Sequence, residues 1–419
     1  MITLSVEPRG GYAPKIEYDG RANRLFVDGQ EVISQIPPHV IPPHARIIMG
    51  TKCNYNCSYC LQGPNTQGPN PDIKGFVDDL ARYFCDVPLH HVILEGGESL
   101  FYFEQQMQRL IAELRQNWPS LVVYTFTNGS TFTKEIAQWC VDNGVIVQLS
   151  HDGPGQAMRG VDPLDDPAIL EAFKWYVDQA GFLQFCPGLT KHNPSQKKHK
   201  EYMEEKLQLE EGQYRIMTMS PLHVGNASIM DSCPDQDDLE TWADTMYEES
   251  VSRPEDWQNL GRLTRMTRDF KAYLGKQWPT YCHAICKEVE LITDTYGNGL
   301  HCGFKNVNDV DPNTGLSCSW GNIKGHHISE KQNAPIDAWW ENRISNCGEC
   351  PMTQMCDGVC PYGPDEFYLR SCRMRYYFCT VALKLAIYEI TGFTVTGIDF
   401  DIDKHQERCY GKTARHTRS

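Results

Sequence analysis

Arg46-Ile47-Ile48-Met49-Gly50-Thr51-Lys52-Cys53-Asn54-Tyr55-Asn56-Cys57-Ser58-Tyr59-Cys60 is a short apolar run that breaks at a glycine and then presents three cysteines spaced C-x3-C-x2-C. The run Arg46–Gly50 predicts a strand, and the cysteines follow it on a tight loop. Three thiolates on one such loop can grip three irons of a cubane cluster, since soft sulfur ligands suit iron–sulfur or zinc. No fourth cysteine stands nearby, so one iron would remain open to an outside ligand. Zinc sites usually use two C-x2-C pairs or add histidines, and neither occurs at suitable spacing here.

Outward from this loop the chain alternates. Short β-branched runs at Arg46–Gly50, His91–Glu95, Leu121–Phe126, Val145–Ser150, Phe182–Pro187 and Tyr214–Met219 are separated by amphipathic stretches near 73–86, 101–116, 132–142, 167–179 and 195–209. Six strands joined by five helices imply α/β architecture, a parallel sheet with right-handed crossovers. A partly closed barrel and a flat doubly wound sheet look alike at this level. Before the sheet, Lys15–Asp19 and Arg24–Asp28 read as a hairpin around Gly20. Ile36-Pro37-Pro38-His39-Val40-Ile41-Pro42-Pro43-His44 reads as an extended linker, because proline excludes helix. After the sheet, 237–250 and 257–276 read as helical, an apolar helix is expected near Thr380–Ile390, and Phe393–Phe400 is strand-like. The domain division that follows is 1–44 hairpin and linker, 45–235 parallel α/β unit, 236–280 helical connector, 281–380 cysteine-rich unit, and 381–419 helix and tail.

Composition narrows the class. The 419 residues are 41% hydrophobic and 22% charged, as in soluble globular proteins, and the net charge of −15 argues against a nucleic-acid partner. No apolar run approaches membrane-spanning length, and Met1-Ile2-Thr3-Leu4-Ser5 does not open a signal peptide. The expectation is therefore a cytoplasmic protein with no membrane partner. In a reducing compartment, 18 cysteines point to metal more than to disulfides.

The loop resembles that of the radical S-adenosylmethionine (SAM) superfamily, whose hallmark is C-x3-C-x2-C with an aromatic, here Tyr59, before the last cysteine. The resemblance covers 45 to about 221 and implies a partial (β/α)6 TIM-like barrel. It also implies a [4Fe-4S] cluster on Cys53, Cys57 and Cys60, with SAM on the open iron. Three further segments match the family's SAM contacts. Glu95-Gly96-Gly97-Glu98 resembles the segment that meets the methionine amino group. Thr127-Asn128-Gly129 ends the third strand, and Ser150-His151-Asp152-Gly153-Pro154 resembles the S-x-D-G-P that ends the fourth. All lie at carboxyl ends of strands, where α/β folds place ligands. Tyr59, Gly96, Gly97, Glu98, Asn128 and Ser150 are thus the implied cofactor contacts. The implied chemistry is reductive cleavage of SAM to methionine and a 5′-deoxyadenosyl radical that takes hydrogen from a substrate.

The C-terminal third resembles the SPASM extension of radical SAM enzymes. Cys286-x10-Gly297-x4-Cys302 is followed by Cys347-x2-Cys350-x5-Cys356-x3-Cys360. The resemblance implies two auxiliary [4Fe-4S] clusters with interleaved ligands. One takes Cys286, Cys302 and Cys360, with Cys282 as fourth and Cys318 as its substitute. The other takes Cys347, Cys350, Cys356 and a later cysteine, Cys379 by the usual gap, with Cys372 as rival. A four-thiolate zinc site is the alternative for Cys347, Cys350, Cys356 and Cys360. Cys85, Cys140 and Cys186 read as small core hydrophobes.

Members of this subgroup mostly modify peptides or proteins by cross-linking, epimerisation or oxidation, and the leading expectation is such a maturase. Gly303 stands where sulfatase-maturing relatives carry an aspartate base, which argues against that branch. Only 52 residues precede Cys53, too few for the ~80-residue peptide-recognition domain of many maturases, so any leader recognition would fall to a separate protein or to another surface. An external donor of flavodoxin or ferredoxin type would supply electrons. The alternatives are the same chemistry on a small molecule, and a non-enzymatic zinc-bound interaction protein. Catalytic residues are unknown; His151, Asp152, Tyr214 and Arg215, with His223, are the polar groups near strand ends.

Overall fold

The computed structural model describes residues 1–37, 42–60, 70–210, 212–216, 220–221, 234–252, 261–276, 290–301, 310, 317, 319–326, 347, 350–356 and 365–410. The chain opens with β1 (Ile2–Val6), β2 (Ile16–Asp19), β3 (Arg24–Val27) and β4 (Gln30–Glu31). The expected hairpin is the β2–β3 pair, with Tyr18 opposite Leu25.

The parallel unit then follows the predicted alternation: β5 (His44–Ile48), α1 (Ile73–Tyr83), β6 (His91–Glu95), α2 (Gln108–Asn117), β7 (Val122–Thr127), α3 (Lys134–Asp142), β8 (Val145–Leu149), α4 (Pro167–Ala180), β9 (Leu183–Phe185), the short β10 (Gly188–Leu189), α5 (Gln196–Leu207) and β11 (Tyr214–Ile216). The helices start where the sequence caps them. Asp72, Thr133, Asp166 and Ser195 each accept a backbone N–H from the first turn of α1, α3, α4 and α5. Helix α1 buries Ile73, Phe76, Val77, Leu80 and Tyr83, the spacing of one helical face.

Strands β5, β6, β7, β8, β9 and β11 are parallel neighbours in exactly that spatial order. The order decides between the two architectures left open above. A doubly wound sheet reverses direction partway and places helices on both faces. A strictly sequential order with right-handed crossovers sends every helix to the same face, as in a barrel. Burial agrees. Ala45, Ile47, Val92, Leu94, Val123, Val147, Leu183 and Phe185 on the helix face are fully buried. Ile93, Tyr124, Phe126, Ile146 and Gln184 on the other face stay partly accessible. Among the described residues the sheet is open, and β12 (Ser220–Pro221) pairs only with β10.

Helices α6 (Gln236–Ser252) and α7 (Gly261–Ala272) occupy the predicted connector. Beyond them, β13 (Glu290–Asp294) lies parallel to β5, so the start of the cysteine-rich segment extends the main sheet through β14 (Asn298–Leu300) and β15 (Ser319–Asn322). The helix expected near 380–390 is α8, which runs from Asp365 to Thr391 and crosses the 380/381 boundary. It packs on α6, with Trp242 stacked on Phe378 at 5.9 Å between ring centres. The strand-like run is β16 (Val395–Ile398), followed by α9 (Ile402–Tyr410). Strand β16 pairs antiparallel with β1, so the first and last segments share one sheet, β16-β1-β2-β3-β4, whereas the domain division set 1–44 and 381–419 apart.

Candidate metal centre

The cysteine loop leaves β5 and folds against the segment after β6. Met49 N–H donates to Glu95 O, Gly97 N–H to Gly50 O at 2.9 Å and Glu98 N–H to Lys52 O at 2.8 Å. Two glycines make this approach possible. Gly96 has φ of +145°, and a Cβ there would lie 2.2 Å from Gly50 O. A Cβ on Gly97 would lie 2.4 Å from Thr51 O and 2.5 Å from Lys52 O. The Gly96-Gly97 pair therefore holds the cysteine loop backbone itself, a role distinct from the SAM contact that the resemblance implies.

Cys53 and Cys57 are half-buried, Cys60 is exposed, and none is in a disulfide. Burial raises the Cys57 thiol to about 11, opposed by the nearby Arg159, with Cys60 and Cys53 also within electrostatic range. Among the described residues no three His, Cys, Asp or Glu side chains converge on a single metal ion. A cubane makes a different demand, since each thiolate takes its own iron. Three thiols on one braced loop, with Cys60 at the open side, suit a cluster with one iron left for another ligand.

Glu98 is 1% exposed. Its carboxylate accepts from Thr127 Oγ1 at 2.8 Å, Asn128 N at 2.6 Å and Leu100 N at 3.1 Å. Burial pushes its pKa up, against the pull of these donors. A carboxylate has about four acceptor positions, so roughly one is left for a further donor. Asn128 reaches the loop: its Nδ2 donates to Asn54 Oδ1 at 3.1 Å and lies 3.6 Å from Cys53 Sγ. Ser150, at the end of β8, donates its backbone N–H to Thr127 O.

The segment after Ser150 forms the other wall. Tyr59, 8% exposed, donates its hydroxyl to Asp152 Oδ2, and Asp152 Oδ1 accepts Gly188 N–H at 2.8 Å. Arg159, which the motifs did not single out, donates to Tyr59 Oη at 3.0 Å and pairs with Asp152 at 3.6 Å. Ser58 N–H donates to Met158 O, and the Tyr55 hydroxyl to Val161 O at 2.6 Å. The only sequence signal for Arg159 is its position five residues after Pro154.

The remaining polar candidates separate by face. His151 is fully buried: its Nδ1 accepts Gly153 N–H and its Nε2 faces Asp162 Oδ1 at 3.0 Å. His199 Nε2 donates to His151 O, and Tyr202 to Asp162. Tyr214 is buried on the helix side, bonded to Glu204. Both therefore brace helices. Arg215 is exposed on the inner face, over the Phe182 ring at 5.3 Å. His223 lies outside the described residues. The inner face also carries the buried pair Arg46–Glu95 and the hydrogen bond from Gln148 to Gln184. Cys140 is a buried core residue as expected, whereas Cys85 is exposed and Cys186 partly so. By strand alternation Cys186 follows Gln184 on the inner face.

In the C-terminal third, Cys347, Cys350, Cys356, Cys372 and Cys379 are described, while Cys282, Cys286, Cys302, Cys318, Cys360 and Gly303 lie outside the described residues. Cys350 N–H is bonded to Cys347 O, and the turn residues 351–355 lead to Cys356, whose N–H bonds to Met352 O. The turns dock on the β2–β3 turn: Gln354 Nε2 donates to Arg21 O at 2.9 Å, and a Cβ on Gly20 would meet Pro351 O at 1.9 Å. Burial raises the Cys350 thiol, and neighbouring Cys372, Cys356 and Cys347 add to the shift. Cys379, two helical turns beyond Cys372, is 2% exposed in the apolar core, within electrostatic range of Tyr18.

Residues 47–203 match the model of the Radical SAM superfamily. Two curated relatives are both named GTP 3′,8-cyclase. One, from Pectobacterium atrosepticum, is 26% identical over 183 residues, 38% of this chain and 55% of the relative. The other, from Yersinia pestis, is 27% identical over 139 residues, 32% of this chain and 39% of the relative. The match thus spans about half the length of these relatives. Solved structures extend the likeness in fold. The protein anSMEcpe with bound AdoMet and Cp18Cys peptide has a TM-score of 0.61 at 16% identity, covering 84% of this chain and 100% of that one. SuiB of Streptococcus suis bound to S-adenosylmethionine has a TM-score of 0.52 at 15% identity, covering 76% and 73%. No helix among the described residues is long and apolar enough to cross a membrane.

Proposed function

We propose that this chain is a radical SAM enzyme that modifies a peptide or protein, with a SPASM-type C-terminal unit holding auxiliary iron–sulfur clusters. The carrying observation is the braced C-x3-C-x2-C loop at the carboxyl end of a sheet whose connecting helices lie on the opposite face from its inner side. When bound, a reduced four-iron cluster with SAM would supply a 5′-deoxyadenosyl radical. The chain's own residues would do the rest. Cys53, Cys57 and Cys60 would ligate the cluster. Gly96 and Gly97 hold their loop in register, and Glu98 and Asn128 tie it to the end of β7. Tyr59 is fixed from below by Asp152 and Arg159. Ser150 and the remaining acceptor position of Glu98 would meet SAM, and Arg215 stands on the inner face toward substrate.

For the second auxiliary cluster, Cys347, Cys350 and Cys356 are proposed as ligands, with Cys379 as fourth by the usual gap and Cys372 as its rival. Cys282, Cys286, Cys302 and Cys360 are proposed for the first. The peptide reading is supported by the cysteine pattern and by a fold likeness that covers most of the chain; anSMEcpe and SuiB are each known with a bound peptide. An electron donor of flavodoxin or ferredoxin type and a separate leader-binding protein would complete the system, in the cytoplasm. The rival reading is the same chemistry on a small molecule.

The test is anaerobic reconstitution. The unaltered protein is expected to bind clearly more than the about four irons of one cubane and to form 5′-deoxyadenosine from SAM under strong reductant. The triple variant Cys53→Ala, Cys57→Ala, Cys60→Ala should lose that product yet keep the auxiliary iron. Turnover by the triple variant would refute the site. Zinc in place of iron would favour the interaction-protein alternative. Mass spectrometry of a precursor peptide encoded beside the gene, after co-expression, tests the substrate class; an unchanged mass counts against it.

A further inference from the structure

Arg159 is a fixed cation under the cysteine loop. Its side chain is 14% exposed and Asp152 is 1% exposed, so the pair lies in a weakly screened environment. The guanidinium is held from two sides. It donates to the Tyr59 hydroxyl at 3.0 Å, and its carbon sits 5.8 Å from the Tyr59 ring centre. It also pairs with Asp152, which is itself fixed by Tyr59 and by Gly188 N–H. Arg159 Nε is buried with no hydrogen-bond partner among the described residues. Arginine keeps its charge at any working pH. Arg159 is also tied to the loop through its neighbour, since Met158 O accepts the N–H of Ser58, which lies between Cys57 and Cys60.

We propose that Arg159 and Asp152 together set the reduction potential of the cluster carried by Cys53, Cys57 and Cys60, with Arg159 raising it and Asp152 opposing. This rests on the reading of the loop as a cluster site. The physical reason is charge. Reduction adds one electron to a centre already made negative by three thiolates, and a nearby buried cation stabilises that extra electron. Potentials of iron–sulfur clusters respond to net charge, hydrogen bonding and exposure. With Arg159 gone, Asp152 would stand uncompensated beside the loop, so the loss of the cation and the exposed anion act in the same direction. Arg159 is on this account a positioning and electrostatic residue, not a catalytic one.

The experiment is a potentiometric titration followed by electron paramagnetic resonance, on the full reconstituted chain, before SAM is added. The signal to follow is the one absent from the Cys53→Ala, Cys57→Ala, Cys60→Ala variant. Arg159→Gln should lower the reduced-to-oxidised ratio at fixed potential about tenfold, a shift of about 59 mV for one electron to more negative values. Asp152→Asn should shift it the opposite way. Arg159→Lys should stay near the unaltered protein, and the double variant Arg159→Gln, Asp152→Asn should return toward it. An unchanged potential in Arg159→Gln, or Arg159→Lys behaving like Arg159→Gln, overturns the proposal. If the unaltered protein shows no signal that depends on the three cysteines, the cluster reading itself fails and takes the proposal with it. If Arg159→Gln does not fold, Asp152→Asn and Arg159→Lys still decide.

Discussion

Replacing Gly97 by alanine tests whether the Gly96-Gly97 segment holds the cysteine loop. The added Cβ would lie 2.4 Å from Thr51 O and 2.5 Å from Lys52 O, where real Cβ contacts do not fall below 3.0 Å. Both obstacles are backbone atoms, so no side chain can swing away. To go from 2.4 Å to 3.0 Å the loop must retreat by at least 0.6 Å, which strains the hydrogen bonds from Gly97 N to Gly50 O and from Glu98 N to Lys52 O. Overpacking of this kind costs roughly 1–3 kcal/mol of stability. A misplacement near 1 Å at a reacting site costs on the order of 100-fold in rate, so SAM cleavage should fall roughly ten- to a hundredfold. The assay is 5′-deoxyadenosine formation by liquid chromatography, read with iron content and urea midpoint. Gly397→Ala is the control, because its Cβ would meet only Ser5 Cβ at 3.8 Å, an ordinary contact. If Gly97→Ala keeps full iron and full rate while Gly397→Ala does the same, the cradle does not hold the loop and the reasoning is wrong.

Two further outcomes follow from buried charge. Arg46 and Glu95 form a two-pronged ion pair on the inner face, both under 10% exposed. Arg46→Met leaves a buried carboxylate unpaired and should destabilise by about 3–5 kcal/mol, whereas the double variant Arg46→Met, Glu95→Leu should regain most of that in urea unfolding; equal losses in both would show that the charge pair is not what matters. His199 is fully buried and held at a pKa of about 4, by burial and then by nearby His151, against an ordinary 6.5. Because the unfolded chain takes up this proton first, stability should decline as pH falls from about 6.5 toward 4, by up to roughly 3 kcal/mol. Asp162 adds to the loss at the acid end: burial raises its pKa, but hydrogen bonds from His151, Tyr202 and Leu164 N–H outweigh that and hold it well below the carboxylate range. His199→Asn should flatten the profile between pH 6.5 and 4, and an unflattened profile would place the acid sensitivity elsewhere.

Much of the site was legible because it is local. The spacing of Cys53, Cys57 and Cys60 lies within eight residues, and the segments Glu95–Glu98 and Ser150–Pro154 sit at strand ends that periodicity locates. Arg159 was not legible, since its significance comes from Tyr59 and Asp152, which approach it only after β8 has been laid beside β7. His151 and Tyr214 misled for the same reason. A polar residue near a strand end reads alike whether it turns inward or, as these two do, toward the helices and partners such as Asp162 and Glu204.

The sequence by itself determined the elements of the parallel unit and the thiol spacing of its loop, because strand and helix periodicity and cysteine spacing are short-range properties of the chain. It could not separate a barrel-like sheet from a doubly wound one, because that depends on which strands become neighbours. The tertiary structure decided this through the uninterrupted order β5-β6-β7-β8-β9-β11, which gathers the connecting helices on one face. It likewise joined β16 to β1 and set Gln354 on Arg21, pairings between segments remote in sequence. No local pattern records them, because backbone pairing and packing select them only once the chain has closed on itself.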